Sequence, residues 1–342
     1  MNKNSEEAKN LQIRDASDVY DRQIRLWGAD AQSKISSANV LYINVTGVSS
    51  EIMKNLVLAG VQASICDGRS YPDALVNTPC SFLPPQDRIK TSPQTQKRKI
   101  SVAQVMQQHV HELNPLLKLP LIEERPLEKI PDSFFSTFEI VIASRIPLDQ
   151  AKRIAEISVS SGNKFFQVDC FGLYGCAILD LGPNHLYRRE IGKDKLSEAI
   201  STKPYLPFIE ILQTELGTIN DRWNKICPRE FAKYKAILQF HAVTGNWPGI
   251  GNADEFPKII QDWLVNREKL PNSYMEDEEL KSLALTALSE ISPICAVLGG
   301  VLGNEVVKAL SGKGEPANNV LLFDGTDGGC RTFVVQKNVK GK

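Results

Sequence analysis

The chain has 342 residues, a hydrophobic fraction of 42% and a formal net charge of +0. That length buries a large core in one large domain or two moderate ones, and the neutral balance gives no electrostatic reason to expect nucleic acid or an anionic membrane as the main partner. The cysteines (Cys66, Cys80, Cys170, Cys176, Cys227, Cys295 and Cys330) are odd in number and form no C-x-x-C pair, which points to a reducing compartment and away from a disulfide framework or a structural zinc.

Residues 1–16 are polar, show no apolar leader of the secretory kind, and read as a loose arm. "SDVYDRQIRLWGADAQSKISSA" then predicts one helical stretch, capped by Ser17 or Asp18, with Tyr20, Ile24 and Trp27 at roughly helical spacing. "NVLYINV" (39–45) predicts a short buried strand. The helix after it is expected to start near Ser49 or Ser50, to align Ile52, Met53, Leu56 and Val57 on one face, and to end at Gly60. "QASICDG" is the next strand. "IVIAS" (140–144) and "KFFQVDC" (164–170) are two more, separated by the helical "PLDQAKRIAEISVS". Strands alternating with helices imply an α/β fold, a parallel sheet covered on both faces.

The style changes near residue 184. Residues 185–285 are charged and richer in aromatics, as in "PREFAKYKAILQFHAV", and read as a mostly helical insertion between the two parts of the main domain, 17–184 and 286–336. "AVLGGVLGNEVVKAL" and "NVLLFDG" then restore the helix–strand style. Gly299, Gly300 and Gly303 would let that last helix approach a neighbour closely. Asn304, Glu305 and Lys308 mark it as a packed helix and not a membrane span. In the tail, 337–342, Lys337, Lys340 and Lys342 are the feature that fits nuclear import.

A nucleotide site on such a scaffold places G-x-G-x-x-G between strand and helix, for a tight turn and close approach of backbone to phosphate. Here the glycine places hold Asn44, Thr46 and Ser49, with Gly47 between them. A β-carbon at each place obstructs the turn or the phosphate, although the helix N-terminus still favours an anion. Taken alone, the segment is either an ordinary strand–helix crossover or a nucleotide site that has lost its loop. Asp67 ends the second strand, where an acid can hold ribose and where Asp is also a turn former.

"DVYDRQIRLWGADAQ", "EIMKNLVLAGV", "KFFQVDCFGLYG" and "AVLGGVLGNEVVKAL…NNVLLFDG", in this order, resemble the family of enzymes that activate ubiquitin-like proteins, and within it the SUMO-activating branch. The resemblance covers residues 17–183 and 286–335 and implies a Rossmann-like, ThiF-type adenylation domain. Eukaryotic members of the family pair an active with an inactive half. The active pattern G-x-G-G-x-G-C-E falls on "NVTGVSSE", which puts Ser50 at the Cys place. D-x-D falls on "DGR", so Asp67 remains and Arg69 stands for the second acid. N-x-N-R-Q-F falls on "NTPCSFL", with Cys80 and Ser81 for the Arg and Gln. A-L-D-N, whose Asp helps hold magnesium, falls on "ASRIP", with Ile146 at that place.

The resemblance therefore implies an accessory half with no cofactor or metal of its own. ATP and magnesium would be bound by a catalytic partner subunit, which also takes the modifier, SUMO. In the family the arginine of "DRQ" in the inactive half reaches into the partner's site and touches ATP phosphate. Here it is Arg22, with Arg25 as the competing candidate. The reaction is attack of the modifier's C-terminal carboxylate on the α-phosphate, with pyrophosphate leaving, and a permanently charged, planar guanidinium suits that phosphate chain. Without the resemblance Arg22 reads as a solvated helix residue. Trp27 is an interface or core anchor. The transthiolation cysteine belongs to the partner, so Cys227 reads as a packing residue. The rival readings are the accessory subunit of the neddylation activating enzyme, disfavoured by the short insertion and the "FDG" ending, and a self-sufficient sulfur-carrier adenylyltransferase or dinucleotide oxidoreductase, disfavoured by the missing glycines and missing D-x-D. The nucleus, with the cytoplasm second, is the expected compartment.

Overall fold

Unbroken apolar runs such as "VLYI" and "IVIA" suit strands with both faces covered. The computed structural model describes residues 19–77, 83–84, 100–192, 195–219 and 227–336, so the expectations for residues 1–16, Cys80, Ser81, Lys337, Lys340 and Lys342 lie outside the described residues. The strands in chain order are β1 (Asn39–Ile43), β2 (Gln62–Cys66), β3 (Leu121–Glu123), β4 (Ile140–Ala143), β5 (Lys164–Phe171), β6 (Tyr174–Asp180), β7 (Leu186–Tyr187), β8 (Glu190–Gly192), β9 (Lys195–Leu196), β10 (Ile200–Ser201), β11 (Val320–Asp324) and β12 (Gly329–Phe333). Eight of them form one sheet in the order β12-β11-β6-β5-β4-β1-β2-β3. From β3 to β5 the neighbours are parallel. The sheet is thus largely parallel, as expected, and its parallel run ends at β5. Gly172, at φ 62°, and Leu173 turn β5 straight back into β6 instead of through a helical crossover, and β6, β11 and β12 pair antiparallel. The chain passes from β1 to β2 on one side and later to β4 on the other. This switch point opens a crevice at the C-terminal end of β1, where α/β folds place ligands.

The first helical stretch is two helices, α1 (Asp21–Trp27) and α2 (Ala29–Ser37). Gly28 separates them at φ 88° and ψ 157°, a conformation that only glycine adopts readily. The helix after β1, α3 (Gly47–Leu58), starts two residues earlier than the pattern predicts. Thr46 is its cap: its hydroxyl accepts from the Ser49 amide while the Ser49 side chain accepts from the Thr46 amide, a reciprocal capping box. Its face of Ile52, Met53, Leu56 and Val57 is buried as expected, each side chain contributing about 1.5–3 kcal/mol over exposure.

Helices α4 (Tyr71–Asn77), α5 (Val102–Leu113), the single-turn α6 (Asp132–Phe135) and α7 (Leu148–Ser160) connect the strands. Residues 185–285 open with two small antiparallel ribbons, β7 with β10 and β8 with β9, before turning helical in α8 (Phe208–Gln213), α9 (Arg229–Thr244), α10 (Phe256–Asn266) and α11 (Asp277–Thr286). Sequence pattern missed the ribbons because two- and three-residue strands carry no periodicity. The helices share one apolar cluster with a face of the sheet: Phe208 stacks edge-on against Phe165 of β5, and Phe231 against Phe333 of β12. The other face is covered by α3, α5 and the long helix α12 (Ser292–Ser311).

Helix α12 lies against α3. A β-carbon on Gly299 would sit 2.5 Å from Cβ of Glu51, and one on Gly303 would sit 3.5 Å from Cβ of Asn55. Gly300 was expected to share this role but faces outward with nothing within 4 Å. Gly299→Ala should therefore force the helices apart and cost about 1–3 kcal/mol, whereas Gly300→Ala should gain about 0.5–1 kcal/mol from helix propensity. Urea unfolding of the two variants checks this. Equal midpoints would show that the contact has room to relax.

Candidate functional site

The crevice gathers Asn44 and Thr46 from the β1–α3 loop, Ser49 from the first turn of α3, Asp67 from the end of β2, and Ile146 after β4. Asn44 takes over the conformation of the first lost glycine. It sits at φ 61°, a left-handed geometry that Asn tolerates, and its side-chain amide donates to the carbonyls of Ser144 (3.1 Å) and Arg145 (3.2 Å). Its β-carbon thus does not prevent the turn. Thr46 and Ser49 are turned inward as the helix cap, so their hydroxyls serve the chain itself. Ile146, expected to stand for the magnesium-holding Asp, is fully buried in the apolar cluster, and in register from Ala143 it is Arg145 that takes the Asp place.

Asp67 is buried and wholly committed. It accepts from the Val45 amide (2.8 Å), the Arg69 amide (3.1 Å), Nε of Arg69 (2.9 Å) and a terminal nitrogen of Arg69 (2.6 Å). The same guanidinium donates to the Val45 carbonyl at 2.9 Å. The arginine in the place of the second acid therefore occupies the acid at the position expected for a ribose ligand. Asp169, at the end of β5, collects four donors: the Ser144 hydroxyl (3.1 Å), the Arg145 amide (2.7 Å), Nε2 of Gln167 (2.9 Å) and the Tyr234 hydroxyl (2.7 Å). Burial pushes its carboxyl above the ordinary value, against the opposing pull of Gln167, Tyr234 and the amide and charge of Arg145. Thr46 joins this network through a 2.8 Å contact between its hydroxyl and that of Ser144.

At the start of α3, where a phosphate would find its donors, sits Glu290, which is 4% exposed. Its carboxylate accepts from the Gly47 amide at 2.7 Å and the Val48 amide at 3.4 Å. The Arg145 guanidinium lies 4.0 Å away. Burial pushes the Glu290 carboxyl upward, while Arg145 and the two amides pull it down. The two amides that a phosphate would use at the start of α3, those of Gly47 and Val48, are thus both taken by the protein's own carboxylate. Beside this network, against the inserted helices, a separate cavity lined by Arg145, Asp169, Phe171 and Tyr234 measures about 10 Å³.

The sequence pattern of the ThiF family matches residues 90–341, most of the chain. The chain belongs to the ThiF family. It is 29% identical over 321 residues to "SUMO-activating enzyme subunit 1B-1" of Arabidopsis thaliana, covering 91% of this chain and 93% of that protein. It is 30% identical over 342 residues to "SUMO-activating enzyme subunit 1" of Xenopus tropicalis, covering 90% and 92%. It is 30% identical over 319 residues to "SUMO-activating enzyme subunit 1A" of Arabidopsis thaliana, covering 91% and 92%.

Arg22 lies apart from the crevice of this ThiF-family chain. Tyr20, just before α1, packs on Gly60, and its hydroxyl accepts from Asn114 at 2.7 Å; that is the far end of α3 from Thr46, about 18 Å along the helix. Nε1 of Trp27 donates to Gln32 at 2.8 Å, and Gln32 donates to the Ala59 carbonyl at 2.9 Å. With both ends of α1 anchored, Arg22, Arg25 and Leu26 share its solvent face. Arg25 pairs with Asp21 at 2.9 Å one turn back, whereas Arg22 is exposed and has no ion pair among the described residues. Cys227 is buried in the apolar cluster, as its packing role requires.

Sequence reasoning missed Glu290, Asp169, Arg145 and Tyr234. For Arg69 a signal existed, since an arginine two residues after an acid at a strand end can fold back on it. Arg69→Ala should leave Asp67 buried with only backbone donors. The expected loss is about 3 kcal/mol, at the low end for a broken buried pair because Arg69 keeps about a third of its side chain in solvent. Chemical denaturation reads it, and an unchanged midpoint would mean that the amides of Val45 and Arg69 suffice.

Proposed function

We propose that this chain is the accessory subunit of a heterodimeric SUMO-activating enzyme. It folds as an adenylation domain whose own crevice is closed, pairs with a catalytic subunit that binds ATP, magnesium and SUMO, and lends that subunit Arg22. The observation that carries the reading is the contrast between the two places: a crevice filled by Arg69, Asp169 and Glu290, and an arginine held outward on an anchored helix far from it. The names of the relatives support SUMO over other ubiquitin-like modifiers.

Exposed apolar surface beside α1 supports the pairing. Leu26 is 70% exposed and Leu186 is 56% exposed, and both line a broad depression of about 1180 Å³ that also includes Trp27, Lys34, Arg188 and Lys313. Apolar side chains exposed together mark protein interfaces more often than free surface. A nuclear location is part of the same proposal and rests only on the tail lysines.

Chemically, the part played by this chain is narrow. Adenylation builds negative charge around the α-phosphate as the modifier's carboxylate attacks and pyrophosphate leaves. A guanidinium fixed on a rigid helix supplies positive charge there without being reorganised during the reaction. Arg22→Ala should leave the fold and the heterodimer intact and slow single-turnover SUMO-adenylate formation by roughly ten- to a thousandfold. Arg22→Lys should recover part of the rate, because an ammonium keeps the charge and loses the fork. Arg25→Ala should stay near wild type. An Arg22→Ala complex as fast as wild type refutes the role, and a defect confined to Arg25→Ala moves it one turn along α1.

A further inference from the structure

We propose that Glu290 is a resident anion, a carboxylate carried by the chain itself to the phosphate position at the start of α3, and that it holds the crevice shut. Helix α3 already caps its first turn locally. The Thr46 hydroxyl takes the Ser49 amide, and the Thr46 carbonyl takes the Ser50 amide at 3.0 Å. What remains is the pair of amides that a bound phosphate uses in such folds, those of Gly47 and Val48. Glu290 takes both, one with each oxygen. It is no local cap, for it lies 243 residues from Gly47. The chain returning from the insertion delivers it: after α11, the Ser289 carbonyl accepts from the Gly172 amide at 2.9 Å, which docks that return segment across the end of β5.

The one glycine that survives in the loop is explained by the same contact. A β-carbon on Gly47 would lie 3.1 Å from the carboxyl carbon of Glu290 and 2.8 Å from Sγ of Cys295. Gly47 thus still permits close approach of an anion to the backbone, and the anion is the protein's own. Arg145 completes the site. Its guanidinium faces Glu290 at 4.0 Å and donates to the Cys170 carbonyl at 3.2 Å, so the pocket around the carboxylate is built from donors on two sides.

This inference rests on the crevice alone and needs no partner subunit, so it can fail while the pairing stands, and the reverse. Its test is chemical rescue in the full-length chain. Glu290→Ala leaves a carboxylate-sized space lined by two amides and a guanidinium. The melting temperature should fall by roughly 3 °C or more, and formate should raise it again in a saturable way, as a ligand of the folded state does. Formamide, of the same size and uncharged, should restore much less, and wild type should not respond to either. Should E290A aggregate on heating, the yield of soluble chain refolded with formate against formamide reads the same difference, with formate expected to win. An E290A chain that gains no more from formate than wild type does, or gains equally from formamide, overturns the proposal.

Discussion

The first turn of α3 begins inside the protein, and its leading amides must find acceptors there or carry the cost of being buried unpaired, about 1–3 kcal/mol each. In a nucleotide-binding relative of the Rossmann type a phosphate does this when it binds. Here Glu290 does it permanently, and the neighbouring groups follow from that choice. Arg145 is drawn toward the carboxylate, and its backbone amide is tied to Asp169. Asp169 in turn gathers Ser144, Gln167 and Tyr234, the last from the inserted helices. The crevice floor and the insertion are thus joined by one continuous network of polar contacts, in the place where an enzyme of this fold would keep space.

A crevice filled by internal contacts makes a rigid frame, and in the proposed heterodimer that frame would hold α1 in place. Helix α1 is only seven residues long and has little stability of its own. Tyr20, through Asn114, and Trp27, through Gln32 of α2, tie it at both ends to the C-terminal end of α3, whose N-terminal end is the one that Glu290 closes. A single packed helix therefore connects the closed crevice to the platform that presents Arg22. In the proposed heterodimer, one half keeps the nucleotide chemistry, and the other contributes position, surface and one positive charge.

Much of this architecture was legible in the sequence because it is periodic. The buried strands, the apolar face of α3 and the close approach at Gly299 all follow from the spacing of apolar and small residues. The breaks were less visible. Gly28 sits inside a helical pattern that runs through it, and only its positive φ reveals two helices. The capping box of Thr46 and Ser49 was read as lost glycine places, since a hydroxyl in a damaged motif looks the same as one in a cap. Glu290 had no local signature at all: an acid in "LSEISP" becomes meaningful only when folding brings it to residues more than two hundred positions earlier. Arg22 stands at the opposite limit. Its exposure is unremarkable by itself, and its reading depends on a motif shared with relatives.

The claim that joins these parts is that nucleotide belongs to the partner and never to this chain. Equilibrium dialysis of radiolabelled ATP with magnesium, run on this chain alone and on the complex reconstituted with a catalytic subunit, tests it directly. The account predicts no saturable binding to the isolated chain and one ATP per heterodimer. Saturable one-to-one binding by the isolated chain, or two ATP per heterodimer, would contradict it.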